Sequence, residues 1–166
     1  MIDNNIDYMV SLDFGKNGAF AYWRESEIIY VHGWDLSDRG KYTSLTLGML
    51  TVLDEIFDII KDTRCNVVVE KPARHLAYQW VMYEDLFERS RRFRVPFITY
   101  MTSSIKKTVT GYGNASKELV EEEVKKIISE GNIIIPEGFL DSTDTEHKWD
   151  SIAAGICHLK KIGKIS

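Results

Sequence analysis

The stretch "NVVVEKPARH", residues 66–75, decides which fold the sequence predicts. Three consecutive valines between polar residues are typical of a short strand buried on both faces of a sheet. The strand ends on Glu70, and a lysine, a proline and two further basic residues follow at once. Because sites in open α/β sheets form at the carboxyl ends of strands, Glu70 is a candidate functional residue.

The surrounding sequence predicts a mixed sheet around this strand. Residues 8–34 have the alternation and turn signals of a three-stranded antiparallel meander. Apolar spacing predicts helices at 43–62, 76–92, 116–131 and 148–162, a strand at 95–101, a short helix or turn at 103–109, and a loop or brief extended piece at 132–147. This order predicts an α/β arrangement: a mixed five-stranded sheet, meander first and parallel strands after, with helices on both faces.

The bulk composition is that of one globular domain covering residues 1–166. The chain has 44% hydrophobic residues and no run of about 20 apolar residues, so we expect no membrane span. The N-terminus has acidic residues where a secretory signal needs basic ones. Cys65 and Cys157 lack the spacing of a metal knuckle, so we interpret them as reduced core residues of a cytoplasmic protein.

The formal charge of -4 conceals a local basic patch. The segment "ERSRRFR", residues 88–94, has four arginines and one glutamate. Local patches rather than net charge decide phosphate binding, although a charge run is more often a solvated helix face. The composition therefore leaves nucleic-acid binding open.

Acidic residues recur at positions that the predicted topology brings together. Asp13 ends the apolar run "MVSLD", as Glu70 ends "NVVVE", and the two converge if their strands are neighbours. In the last helix, His147 and Asp150 are three residues apart and share one face. Ala153, Ala154 and Gly155 follow and allow that helix to lie close to the sheet. The alternative for each residue alone is a surface cap or a pair with a neighbouring lysine, Lys16 or Lys71.

Three carboxylates share one site only when a cation neutralises them, since like charges otherwise force one to take up a proton. Oxygen-rich sets of this kind select Mg²⁺ or Mn²⁺, and the absence of cysteine argues against structural zinc. Two such ions about 4 Å apart form the usual arrangement for phosphodiester hydrolysis. The residues therefore indicate a nuclease centre with two ions.

Four sequence blocks resemble the RuvC family of Holliday-junction resolvases, within the RNase H-like superfamily. In order they are "SLDFGKNGA", "VVVEKP", "IKKTVTGYGNASKELV" and "HKWDSIAAGICH". The third is the most specific, because the family has a similar arrangement of lysine, valine, Gly-x-Gly and lysine there. The resemblance implies a homodimeric endodeoxyribonuclease that acts in DNA recombination and repair and nicks two opposed strands of a four-way junction.

The resemblance also implies roles for individual residues. Asp13, Glu70 and Asp150 match the acidic metal ligands, and His147 lies where some members have histidine instead of a fourth aspartate. Lys106 and Lys117 match lysines near the scissile phosphate, and Glu146 is a weaker candidate ligand. The predicted DNA-binding residues are Lys71, Arg74, His75, Lys106, Lys107, Tyr112, Asn114 and Lys117. Neutral imidazole is a legitimate ligand, so we expect metal binding to weaken below about pH 6.5 as His147 protonates.

One position departs from the family pattern. Members generally have an aromatic residue three positions after the second acid, where this chain has Ala73. A lost stacking contact removes about 1–3 kcal/mol of base binding, which puts strict junction selectivity in doubt. Tyr78, Trp80 and Tyr112 are candidates for a displaced stacking residue. This compact, divergent pattern would suit a phage or viral member.

The helix near residues 77–92 corresponds to the element through which the family dimerises. Its apolar residues, among them Val81 and Phe87, pack either inside the chain or against a partner, and periodicity does not separate the two. A junction with two equivalent strands favours a two-fold dimer. Two other functions stay open: an RNase H-like nuclease acting on forks, flaps or RNA-containing substrates, and a junction-binding protein without catalysis.

Overall fold

The computed structural model describes residues 7–38, 42–61, 63, 65–73, 77–139 and 146–166. Its strands are β1 (Tyr8–Asp13), β2 (Asn17–Arg24), β3 (Glu27–Asp35), β4 (Cys65–Glu70) and β5 (Phe97–Tyr100). Its helices are α1 (Tyr42–Ile60), α2 (Ala77–Phe93), α3 (Thr102–Thr110), α4 (Lys117–Ser129) and α5 (Glu146–Lys161). Within this part of the chain, no helix is both long enough and apolar enough to cross a bilayer.

The five strands form one mixed sheet in the order β3-β2-β1-β4-β5. The first three strands pair as an antiparallel meander, and β4 pairs in parallel with β1 and with β5. Apolar residues from α1 and α2 pack on one face, and those from α3, α4 and α5 pack on the other. The predicted α/β, RNase H-like arrangement with a mixed sheet and helices on both faces is therefore confirmed.

The three valines of β4 lie at the centre of this sheet. Val67, Val68 and Val69 are each 0% exposed, because both faces of β4 are covered by helices and both of its edges are paired. Glu70 follows as a partly buried residue at the carboxyl end. The central position of β4 thus explains both the run of valines and the charged residue that follows it at the edge of the sheet.

Several element boundaries differ from the sequence prediction. The short helix or turn at 103–109 is a nine-residue helix, α3, which ends at Gly111 with a left-handed φ of 86°. The last helix begins at Glu146 rather than 148, so His147 lies in its first turn. The strand predicted at 95–101 is shortened to Phe97–Tyr100. Helix α4 is capped by Ser116, whose side chain accepts from the Leu119 amide at 3.2 Å.

Small residues on α5 allow this helix to lie directly on the sheet, as the sequence indicated. A Cβ atom at Gly155 would be 2.5 Å from the ring of Trp23, so only glycine fits at this crossing. Trp23 is itself fully buried and donates from its indole nitrogen to Ser11 Oγ at 2.8 Å. The close contact fixes the height of α5 above β1 and β2, and with it the position of the acidic first turn of the helix.

Candidate active site

The two strand-end acids are brought together by the pairing of β1 with β4. Leu12 is opposite Val69 in this parallel pair, so the next residues, Asp13 and Glu70, leave the sheet side by side. Both are partly buried. Because parallel strands place their carboxyl ends at the same edge, two neighbouring strands suffice to bring these carboxylates together.

The first turn of α5 adds a histidine and a third acid. His147 Nδ1 lies 2.9 Å from Asp13 Oδ2, although the two residues are 134 positions apart in the chain. One ligand atom each of Asp13, His147 and Asp150 lies within 4.8 Å of the other two. This trio has the spacing of a cation site, and Glu70 lies outside it.

Glu70 is held by a residue that the sequence analysis did not identify. Thr102, the first residue of α3, donates from its hydroxyl to Glu70 Oε1 at 2.5 Å. Thr102 comes two residues after the end of β5, the neighbour of β4, so its position near a strand end was the available signal. The contact spans 32 residues and depends on a strand order that the sequence permits without determining it.

Burial and neighbouring negative charges raise the pKa values of two of these carboxyl groups. Burial raises the pKa of Glu70 to about 7, against the hydrogen bond from Thr102, and the neighbouring acids raise it further. Burial also raises the pKa of Asp150 to about 6, with Asp13 as the next cause, while Lys117 and His147 oppose the rise. Ionising this cluster therefore costs free energy, and a bound cation would lower that cost.

Two lysines face the same space. Lys117, at the start of α4, has its Nζ 3.5 Å from Asp150 Oδ2. Lys106, on α3, donates to the carbonyl of Ala115 at 2.5 Å. Both line a cavity of about 440 Å³ together with Asp13, Glu70, His147 and Asp150. The structure thus brings all six predicted catalytic residues to one cavity.

The predicted DNA-binding residues are distributed around this cavity unevenly. Lys107, Tyr112 and Asn114 are exposed on α3 and on the turn that follows it, and Lys71 is exposed just beyond β4. Lys71 extends the β4–β5 pairing through its amide, which donates to the Tyr100 carbonyl at 2.8 Å. Arg74 and His75 lie outside the described residues, as does the side chain of Glu146.

Two further residues near this site, Gln79 and Asp35, were not identified from the sequence. Gln79 on α2 donates to the carbonyl of Phe14 at 2.7 Å and so fixes the chain just after Asp13. Asp35 ends β3 at the same edge, and Ser37 and the nearby His147 lower its pKa. The position of Asp35 at a strand end could have identified it, whereas Gln79 is recognisable only from the folded chain.

Comparison with known proteins gives structural relatives only. No protein-family model matches the chain, and no curated protein matches it. The structure of Thermus thermophilus RuvC superposes with a TM-score of 0.64 and 16% sequence identity, over 96% of this chain and 98% of that one. The T. thermophilus RuvC complex with a Holliday junction substrate gives 0.66 and 17% over the same shares of the two chains.

This chain has the RuvC fold. The match covers nearly the full length of both chains, so the sheet, the flanking helices and their order are shared as one unit. At 16–17% identity the likeness establishes the architecture and leaves the chemistry to be argued from the residues of this chain.

Proposed function

We propose that this protein is a divergent RuvC-type endonuclease that resolves four-way DNA junctions. In this proposal, residues 1–166 form one nuclease domain that makes paired, symmetric nicks and leaves 5′-phosphate and 3′-hydroxyl ends. The observation that carries it is the convergence of Asp13, His147 and Asp150 with Glu70 at one edge of a RuvC-like sheet. The solved relative bound to a Holliday junction supports the choice of substrate.

The donor set fits Mg²⁺, with Mn²⁺ as a substitute. Carboxylate oxygens with one imidazole suit a hard divalent cation, and a bound cation would offset the burial and the neighbouring acids that raise the pKa values of Glu70 and Asp150. Asp13, His147 and Asp150 would hold one ion, and Glu70 with Asp13 would complete a second position. Two ions in such a centre activate water and stabilise the leaving 3′-oxygen.

The two lysines have a separate role in the proposal. Lys106 and Lys117 line the cavity as fixed cations, so they would neutralise the charge that develops on the phosphate in the transition state. Lys117 also lowers the pKa of Asp150, which keeps this acid available as a ligand.

A homodimer is part of the proposal, because two opposed strands are nicked symmetrically. On α2, Met82 and Leu86 are buried inside the chain, whereas Val81 and Phe87 are 37% and 40% exposed. The apolar stripe seen in the sequence therefore divides into a core-facing part and an outward part. The outward part supports α2 as the contact between subunits.

The proposed substrate is tested by competition among DNA structures. With Mg²⁺ present, we expect cleavage of a mobile four-way junction to exceed that of a Y-fork or linear duplex by at least about tenfold, or about 1.4 kcal/mol. Labelled strands resolved on a denaturing gel give the rates and show whether the nicks are symmetric. Equal cutting of linear duplex would refute the junction proposal, and preference for the fork would favour the broader branched-DNA alternative.

Replacing Lys117 by methionine should slow cleavage by about 10- to 100-fold, since a cation facing the phosphate is lost. The pKa of Asp150 should rise further without this neighbour, so the loss should be greater at pH 6.5 than at pH 8.5. Lys125→Met is the matched control, because Lys125 is on the same helix but lies over the Trp149 ring, 5.2 Å from its centroid. A pH-independent loss of equal size in both variants would show that Lys117 acts only through general charge.

A further inference from the structure

The turn at residues 111–116 joins the two helices that carry the site lysines. Lys106 is on α3, which ends at Thr110 just before the turn, and Lys117 is the first residue of α4, just after it. The carbonyl of Ala115 in this turn accepts from Lys106 Nζ at 2.5 Å, so the turn is attached to the rim of the cavity. The Ala115 amide in turn donates to the Tyr112 carbonyl at 3.3 Å. The Tyr112 Cα therefore lies within about 12 Å of the Lys106 ammonium, since the Cα atoms at the two ends of such a turn are within about 7 Å of each other.

The backbone of this turn is fixed at several points. Thr110 Oγ1 accepts from the Tyr112 amide and donates to the Tyr112 carbonyl, each at 3.1 Å. Gly111 has the left-handed φ of 86° that ends α3. A Cβ atom at Gly113 would be 3.3 Å from the Ser103 carbonyl oxygen, so the turn is packed closely against α3. Because this backbone is already fixed, binding of a ligand costs the entropy of the side-chain torsions but little backbone entropy.

The ring that this rigid turn presents is open to solvent. Tyr112 is 65% exposed, the largest value among the exposed large hydrophobic residues of the described chain. Lys107 and Asn114 beside it are exposed as well, and a Cβ atom at Gly113 would be 4.0 Å from the Lys107 Cβ. A rigid aromatic face next to a cation is the combination by which proteins bind unpaired nucleotides, with the ring under the base and the cation near the backbone.

The other two aromatic candidates are engaged in the fold. Trp80 donates from its indole nitrogen to the Ala73 carbonyl at 3.1 Å and packs edge-on against Tyr83, with ring centroids 5.3 Å apart. Tyr78 is partly buried in the wall of the main cavity. Among these three residues, Tyr112 alone offers a largely exposed ring.

We propose that Tyr112 stacks on an unpaired base at the junction, close to the cleaved phosphate. Lys107 contacts the backbone of the same strand. The inference rests on the proposed function, since it assumes that branched DNA enters the cavity. It adds that base stacking by this turn selects DNA in which bases near the branch point are free of their partners. Stacking on a free base face explains why a perfectly paired duplex would bind less well.

The test measures binding without cleavage. The Asp13→Asn protein is titrated into four-way junctions with single 2-aminopurine substitutions at the nucleotides around the branch point, with duplex as reference. We expect quenching of 2-aminopurine at one or two positions and a loss of junction affinity of about 5- to 100-fold on adding Tyr112→Ala. Tyr112→Phe and Tyr112→Trp should keep both signals, and Tyr112→Leu, which keeps apolar area without a ring, should lose the quenching.

Leu47→Ala is the matched surface control, because Leu47 is 59% exposed on α1, and it should change neither signal. Unchanged affinity and quenching in Tyr112→Ala would overturn the stacking inference and leave the proposed function standing. Loss of affinity with quenching retained would also overturn it, since a contact other than stacking would then be responsible. Failure of the parent Asp13→Asn protein to bind branched DNA at all would overturn the proposed function together with this inference.

Discussion

Replacing Asp13 by asparagine is expected to lower the rate of junction cleavage by at least about 10²- to 10³-fold, with junction affinity within a few-fold of the original. Asp13 occupies the centre of the cluster: it contacts His147 at 2.9 Å, and its charge raises the pKa values of both Glu70 and Asp150. Asparagine keeps the size and one oxygen but removes the charge. The loss should therefore fall on the chemical step rather than on DNA binding.

Single-turnover cleavage measures the chemical step, and fluorescence anisotropy with labelled junction at fixed salt measures affinity. Asp58→Asn is the matched control, since Asp58 is on α1 and pairs on the surface with Lys61. The same substitution should also bring the pKa values of Glu70 and Asp150 down, because a neighbouring negative charge is removed. Cleavage at the original rate in Asp13→Asn would refute a catalytic role, and a parallel loss of affinity would point to misfolding or a binding role instead.

The parts of this site that the sequence predicted are those that follow from local pattern. The valine run of β4 and the apolar end of β1 each identify a strand whose last residue is acidic, and parallel pairing then places Asp13 beside Glu70. The spacing of His147 and Asp150 identifies one face of a helix, and Gly155 indicates its close approach to the sheet. For these residues, periodicity and chain order permitted the convergence, and the family resemblance implied the set.

The parts that the sequence did not predict depend on contacts between distant elements. Thr102 reaches Glu70 only because β5 is the neighbour of β4, and Gln79 reaches the Phe14 carbonyl only because α2 packs over the exit of β1. Serine, threonine and glutamine at such positions have no periodicity that distinguishes them from surface residues. The length of α3 was also underestimated, because a nine-residue polar segment has weak helical preference until Ile105 and Val109 are buried against α5.

The charge of the cluster has a measurable effect on stability, and Glu70→Gln isolates it. The pKa of Glu70 is raised from its ordinary value of 4.5 to about 7, so between these pH values the folded chain holds a proton that the unfolded chain has lost. Stability from this group is therefore present at low pH and falls as pH rises through that window, and the loss is complete above about pH 7. At pH 8 the metal-free protein holds a buried carboxylate at a cost of about 1–3 kcal/mol.

Glutamine removes this cost and can still accept the hydrogen bond from Thr102. We expect Glu70→Gln to stabilise the metal-free protein by about 1–3 kcal/mol at pH 8 and by less than about 1 kcal/mol at pH 5, where Glu70 is neutral in the folded state. The free energy of unfolding must be compared between Glu70→Gln and the original protein at each pH, because the contribution of His158 to stability depends on pH in the opposite direction. Its pKa is lowered by burial to about 4, so it favours folding as pH rises from about 4 to 6.5.

Adding Mg²⁺ or Mn²⁺ should reverse the order of the two proteins at pH 8. A cation bound to the folded state alone stabilises it, by about 2.7 kcal/mol at 100 times its dissociation constant, and glutamine weakens that binding. Urea unfolding at pH 5 and pH 8, with chelator and with metal at about 100 times its dissociation constant, gives four free energies of unfolding for each protein. Glu55→Gln, an exposed change on α1, is the control that should leave them unaltered. Equal stabilisation of both proteins by metal would show that Glu70 is not a ligand, while a pH-independent effect of Glu70→Gln would show that its charge is not what destabilises the cluster.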